Sequence, residues 1–366
     1  MTDLELKRIT EGILPADAAA VSAAEMRQAS LAKPPRSLGR LEDISVRLAG
    51  VTGNVRNKMD KRLVAVFSAD NGVALDGVAV TPQSVTKKQS VNMMRRKTGM
   101  SVLAECYGDD VRVYDVGINA DADYPGIINR KVRFGTASIL TGPAMTRGEA
   151  LAAIEAGFDA AKSVKAEGYD VIGIGEMGIG NTTTSAAVLS VLTGAAPAAV
   201  TGRGSGLSDE ALAHKREVVA RAVELNAPDP KDPVGVIASV GGLDIAAMTG
   251  AFLGAAYYRL PAVVDGLISI TAALAATRLT PAVRDYLFLS HVSEEPGYLI
   301  AKNELGLDPM LTLDMRLGEG SGCPLAFQIM RGACAVMNCM AAFGEAEIDD
   351  GYLKKLENVK DFNYKK

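Results

Sequence analysis

Tryptophan is absent from the 366 residues, and only two histidines, His214 and His291, are present. Chemistry that needs several imidazoles is therefore excluded. The lack of Trp also removes the strongest stacking platform for nucleic-acid bases. Four cysteines occur, Cys106, Cys323, Cys334 and Cys339, and no two of them form a C-x-x-C pair. That spacing argues against a zinc site and for reduced thiols in the cytoplasm. No strong field of either sign exists: Lys+Arg 39 against Asp+Glu 43 gives a net charge of -4, which offers nucleic acid no basic surface. The most apolar stretch, Ala246–Leu279, is interrupted by Arg259, Pro261 and Asp265. A membrane span needs about 20 residues with few or no charges, so this stretch reads as buried helices and a strand. The charged N-terminus lacks the apolar core of a signal peptide.

What is present is an alternation of element types. Leu38, Leu41, Ile44 and Leu48 share a helix face within a helical first sixty residues, and Pro34-Pro35 imposes an extended entry before them. Short apolar runs follow at Leu63–Ser68, Val111–Val116, Asp170–Ile174, Val234–Val240, Ala262–Val264 and Tyr286–Ser290. Each reads as a strand covered on both faces. Alanine-rich helices alternate with them, at Gly148–Glu167, Thr183–Leu192, Asp209–Leu225, Leu243–Tyr258 and Leu267–Thr277. The expected fold is α/β, a mostly parallel Rossmann-like sheet flanked by helices. The expected division is residues 1–60 as an N-terminal helical segment, 61–322 as the large catalytic domain, and 323–366 as C-terminal helices that join the first segment in a small domain. The charged stretch from Glu345 to Lys366 reads as a surface helix with a frayed end.

In open α/β sheets ligands bind beyond the carboxyl ends of the strands, so the glycine-rich loops are the candidates for function. Gly173-Ile-Gly-Glu-Met-Gly-Ile-Gly-Asn-Thr-Thr-Thr184 follows a strand and opens a helix. Gly173, Gly175 and Gly178 satisfy G-x-G-x-x-G, yet no Asp or Glu lies between Met177 and Leu207 to hold a dinucleotide ribose. Gly175-x4-Gly180-Asn181-Thr182 matches a Walker loop except that Asn stands in place of the lysine. What survives is an anion site built from backbone N–H groups, a helix N-terminus and the hydroxyls of Thr182–Thr184, suited to a monophosphate. An ordinary tight βα turn is the competing reading. Thr201-Gly-Arg-Gly-Ser-Gly-Leu207 is a second such loop, in which Arg203 either touches ligand or fastens a turn. Ser293 and Glu295 offer a donor and an acceptor after the last apolar run. Leu317-Gly-Glu-Gly-Ser-Gly322 sets Glu319 between two glycines ahead of a helix at Pro324–Met340.

Taken in order, these segments resemble the nicotinate-nucleotide:dimethylbenzimidazole phosphoribosyltransferase family, which serves cobalamin lower-ligand assembly. The resemblance spans roughly residues 30 to 345. It rests on Lys33-Pro-Pro-Arg-Ser-Leu-Gly-Arg-Leu-Glu42, Ala69-Asp-Asn-Gly-Val73, Gly77-Val-Ala-Val-Thr-Pro82, Gly175–Thr183, Thr201-Gly-Arg-Gly204, Gly241-Gly-Leu-Asp-Ile-Ala246, Val264-Asp-Gly266, Ser290-His291 and Arg316-Leu-Gly-Glu-Gly320. The resemblance implies transfer of the 5-phosphoribosyl group of nicotinate mononucleotide to a benzimidazole-type base, with no cofactor and no metal. It implies Glu319 as the base that removes the benzimidazole proton, and Glu176 as a carboxylate near the ribose. Thr81, Gln89 and Leu317 match positions beside the aromatic base. Gly178, Gly180, Asn181, Thr182, Gly204, Lys215, Asp265 and Ser293 match the surroundings of the nucleotide. Asn71 stands where the family has His, and Arg36 where it has Gly; both are expected at the rim, which leaves phenols, purines and substituted benzimidazoles open as acceptors. A cytoplasmic homodimer is implied, with unlike-subunit pairing known among relatives. Two readings of other classes compete: a mononucleotide sensor without catalysis, and a dehydrogenase, against which the missing ribose acid counts.

Overall fold

The computed structural model describes residues 1–120 and 125–356. Three helices open the chain, α1 (Asp3–Gly12), α2 (Ala18–Ser30) and α3 (Arg40–Thr52). Then β1 (Arg62–Ala69), α4 (Ser84–Met94), α5 (Gly99–Tyr107), β2 (Asp110–Gly117) and β3 (Ile127–Asn129) follow. The middle holds α6 (Arg147–Ala166), β4 (Val171–Met177), α7 (Asn181–Thr193), α8 (Pro197–Val200), α9 (Asp209–Asn226), α10 (Pro233–Val240) and α11 (Leu243–Tyr257). Last come β5 (Ala262–Val264), α12 (Leu267–Leu279), β6 (Leu287–Leu289), β7 (His291–Ser293), α13 (Pro296–Leu305), β8 (Leu311–Met315) and α14 (Gly322–Cys339).

Six strands form one sheet in the order β3-β2-β1-β4-β5-β6, and every pairing is parallel. The run Leu63–Phe67 of β1 is wholly buried, as a strand with helices on both faces must be. Helices α11 and α12 lie over one face, and α4, α5 and α14 over the other. This strand order reverses direction between β1 and β4, the switch point at which a crevice opens beyond the carboxyl ends. A separate two-stranded parallel pair, β7 with β8, flanks that crevice.

The two ends of the chain meet. Ala32 donates to the Ala341 carbonyl and Phe343 to that of Ser30, while Arg27 reaches the carbonyls of Met337 and Met340. Helix α14 packs on β1, β4 and β5 as well as on α3, and so ties this terminal layer to the sheet. Among the described residues no helix is long and apolar enough to cross a membrane.

One run expected as a strand is a helix. Val234–Val240 forms α10, with Pro233 at its first turn and nearly every residue buried. A seven-residue apolar run does not distinguish a strand from a helix buried all round; Pro at the first helical position was the signal for the latter. The described part of the charged C-terminal stretch holds only a 3₁₀ turn at Gly351–Lys355, and its last ten residues lie outside the described ones.

Candidate active site

The carboxyl ends of β1 and β4 lie side by side, with Ser68 paired to Met177. The loop after β4 presses against the end of β1: a methyl added to Gly178 would sit 2.4 Å from the Ala69 carbonyl oxygen. Gly180 takes φ 94° as the N-cap of α7, so the chain turns straight into a helix whose first residues, Asn181 and Thr182, line the crevice. Beyond it the segment Gly318-Glu319-Gly320 runs through three consecutive left-handed residues, at φ 81°, 63° and 83°. Glycine adopts this at no steric cost; for Glu319 it costs of order 1–3 kcal/mol and persists only because neighbours over-determine it.

Those neighbours are identifiable. Asp265, at the end of β5, accepts from the Gly320 amide at 3.0 Å and from the Gly322 amide at 2.8 Å. Glu176, on β4, accepts from the Glu319 amide at 3.3 Å. Gly175 lets the loop lie on the strand, since a methyl there would meet Gly320 at 2.7 Å. The Glu319 side chain thereby takes a fixed direction. Its Oε1 accepts from Gln89 Nε2 on α4 at 3.0 Å, and the Thr98 hydroxyl and the Met100 amide also lie close to the carboxylate. Burial pushes its carboxyl above the ordinary range, with Gln89 pulling the other way.

At the other end of the crevice the chemistry is cationic. Lys215 of α9 is almost fully buried and donates from Nζ to Thr182 Oγ1 at 2.8 Å. Burial pushes it down to about 8, against the attraction of Glu295. Glu295 in turn accepts from the Gly204 amide at 2.8 Å and so holds the Gly202–Gly204 loop beside the ammonium. Between the two ends lies a cavity of about 1280 Å³, above the size that one small ligand fills, lined by Glu176, Thr182, Lys215, Ser293 and Glu319 among others.

Most of the candidate residues converge here. Thr81, Gly178, Gly180, Asn181, Gly204 and Leu317 also line the cavity. Gln89 stands behind Glu319 and contacts it alone among the site acids. Asp265 departs from its expected place among the nucleotide contacts: both its oxygens are spent on loop amides, so it shapes the Glu319 turn instead. Asn71 is not at the rim. It is fully buried, donating to Asp244 and accepting from Thr184. Arg36, with φ 63°, pairs with Asp43 and is not among the cavity-lining residues. Arg203 donates to the Leu207 carbonyl at 2.8 Å and pairs with Asp209, which makes it a fastener of its turn on the cavity wall.

Two residues of the resembling segments have no role in the sequence reading. His291 lines the cavity, bonded to Ser290 Oγ at 2.9 Å. Asp244, in the first turn of α11, is wholly buried, and burial pushes it up to about 6. Asn181 Nδ2 donates to it at 3.1 Å and also to Glu176. Glu176, surrounded in this way, is pushed up to about 8, first by burial and then by the charge of Asp244. The sequence signals for Asp244 are its place in the resembling segment Gly241–Ala246 and its position just after two glycines at a helix start.

Comparison with known proteins gives one consistent result. A phosphoribosyltransferase family model matches residues 13–348. The nicotinate-nucleotide–dimethylbenzimidazole phosphoribosyltransferase of Clostridium perfringens is 50% identical over 356 residues, covering 97% of this chain and 98% of that protein. The protein of the same name from Geobacter sulfurreducens is 46% identical over 340 residues, 93% of this chain and 97% of its own. A crystal structure of the Thermus thermophilus enzyme of that name superposes with a TM-score of 0.87 at 41% identity, covering 92% of this chain and all of the other.

Proposed function

The chain belongs to this phosphoribosyltransferase family, and from that premise we propose that it moves the 5-phosphoribosyl group of nicotinate mononucleotide onto 5,6-dimethylbenzimidazole or a related base. One nitrogen of the base attacks C1 of the ribose from the face opposite nicotinate. The C1–N bond to nicotinate breaks with its electron pair, and the α-riboside 5′-phosphate forms with inversion. The nicotinate nitrogen is quaternary beforehand, so no acid is needed to expel it. The proton to be removed is on the second nitrogen of the attacking ring, which becomes acidic as the bond forms. Glu319 takes it.

The observation that carries this reading is the Glu319 turn: a buried carboxylate held at positive φ by Asp265 and Glu176, oriented by Gln89, on a residue that lines the same cavity as Lys215 and Thr182. A base is most effective when its pKa approaches the working pH, and burial moves Glu319 in that direction. Lys215, Thr182, the loop amides and Ser293 are the proposed seat of the 5′-phosphate. Glu176 faces the ribose, where its carboxylate opposes the positive charge that develops at C1. Thr81 and Leu317 flank the aromatic base, and Gln89 orients Glu319. The enzyme works as a cytoplasmic homodimer in this reading; equilibrium sedimentation of the purified chain tests the dimer.

Incubation with nicotinate mononucleotide and a panel of benzimidazoles, purines and phenols, followed by chromatography for free nicotinate, tests the transfer and ranks the acceptors. Glu319→Gln should lower turnover by roughly 10²-fold or more with folding preserved. Near-normal turnover in that variant would remove Glu319 from its role, and saturable mononucleotide binding without nicotinate release would make the protein a sensor.

A further inference from the structure

Asp244 belongs to none of the groups that bind or react in the scheme above, yet three elements are arranged around it. Its Oδ1 accepts from the Ile245 amide at 3.0 Å. Its Oδ2 accepts from Asn181 Nδ2 at 3.1 Å and from Asn71 Nδ2 at 3.4 Å. The Asn181 nitrogen carries two hydrogens, and the second goes to Glu176 Oε2. This fixes the amide: turned over, its carbonyl oxygen would face two carboxyl groups. Glycines make room for the assembly. A methyl on Gly178 would stand 2.7 Å from Asp244 Oδ2, and one on Gly242 would stand 2.4 Å from Oδ1.

The groups facing Glu176 are acidic or neutral on every side. Asp244 approaches from α11, Asp265 from the end of β5, Glu319 from the loop before α14, and Asn181 from α7. Among the described residues neither Glu176 nor Asp244 makes an ion pair. Among the described residues no ion pair offsets the two carboxyls, and Asn181 bridges them.

We propose that Asp244 is a positioning residue for the transfer: through the side-chain amide of Asn181 it sets the orientation and the electrostatic surroundings of Glu176 beside the ribose. The inference rests on the reading that Glu176 faces the ribose. Burial first, and then the negative charge held next to it, disfavour ionisation of Glu176, so the carboxylate forms only toward pH 8. The acidic limb of the free enzyme's kcat/KM for nicotinate mononucleotide then reports Glu176, apart from the alkaline fall that loss of the Lys215 proton imposes. Replacing Asp244 by a neutral isostere lets Glu176 ionise at lower pH.

The test is the pH profile of kcat/KM for Asp244→Asn, alone and combined with Glu176→Gln. The single variant should move the acidic limb down by about one pH unit, whatever happens to its plateau. In the Glu176→Gln background that limb should be gone, and Asp244→Asn should shift nothing further. A lowered plateau with the limb unmoved, or the same loss in both backgrounds, would mean that Asp244 serves only to pack α11, and the proposal would fall. If Asp244→Asn does not fold, Asn71→Ala takes its place. It strips one donor from Asp244, favours the neutral acid, and should move the limb in the same direction by less; an unmoved limb overturns the proposal. Wild-type enzyme that releases no nicotinate under any condition would instead defeat the transferase reading on which this stands.

Discussion

Helices α6 and α11 approach through Gly157 and Gly250, where an added methyl would lie 1.7 Å from the Ala247 carbonyl oxygen and 1.8 Å from that of Ile154. Across the sheet the Gly318–Gly320 turn rests on Gly175, where an added methyl would lie 2.7 Å from Gly320. Both contacts exist because glycine has no Cβ, but their surroundings are opposite. Around the helix pair sit Ala153, Ile154, Ala247 and Ala251, all buried and apolar. Around the turn sit Glu176, Asp244, Asp265 and Glu319, all buried and acidic. The first contact gains dispersion and removes apolar surface from water. The second holds a non-glycine residue at positive φ and desolvates carboxyl groups, each of which opposes folding. A strained acidic site persists because a well-packed apolar scaffold holds the strand ends that carry it.

That contrast breaks most directly at the glycines themselves. Gly250→Val drives two methyls into the Ile154 carbonyl, and neither helix backbone can yield locally. The expected result is loss of at least 3 kcal/mol, seen as a collapse of the melting temperature or as insoluble protein. Gly175→Ala should keep a near-native melting curve while turnover falls at least tenfold, because the turn can ride up and carry Glu319 with it. Equal thermal losses in the two variants would erase the distinction between scaffold and site.

A second, smaller effect sharpens the division within the site, between its acidic and its cationic end. Lys215→Met removes a charge aimed at the proposed phosphate seat. Binding of nicotinate mononucleotide should weaken about 10- to 100-fold, with kcat at saturation changed far less. Burial holds Lys215 down to about 8, so the wild-type affinity should decline as pH rises past that value, when the amine loses its proton. Titration calorimetry across pH 7–9.5 reads both effects, and the decline should be missing in Lys215→Met. A variant that keeps the decline would place the titrating group elsewhere.

The scaffold was far more legible in the sequence than the acidic site. Leu63–Ser68 and Asp170–Ile174 announced parallel strands because continuous burial leaves a continuous apolar run, and the glycine runs after them marked the crevice. Val234–Val240 misled because a short helix buried all round has the same composition as a strand. The strands β7 and β8 are short and, in β8, largely exposed, so they carry no period to read. For Asp265 the strand-end position shows in the sequence but the role does not, because the amides that occupy it lie 55 and 57 residues away. Asp244 and Asn71 lie 173 residues apart and mean nothing separately. Local pattern reveals elements; the meeting of four loops is a tertiary fact.

The smallest expected effect concerns what the acidic region costs the fold, and its sign follows from proton linkage. Glu176 has an ordinary value of 4.5 and is pushed up to about 8 in the folded chain. Between those values the folded state binds more protons than the unfolded one, so stability falls as pH rises. The penalty is absent below about pH 4.5, where both states are protonated, and complete above about pH 8. Glu176→Gln removes the titration. It also leaves an amide facing either the Asn181 nitrogen or the Glu319 amide, so one hydrogen bond is lost at every pH. The absolute stability of the variant therefore decides nothing, whereas the pH dependence of the difference from wild type does. The melting temperature of the variant minus that of wild type should climb by several degrees from pH 4.5 to pH 9. A difference that stays flat would mean that Glu176 ionises in the folded protein as easily as in the unfolded one, and that the carboxyl cluster imposes no strain on the scaffold beneath it.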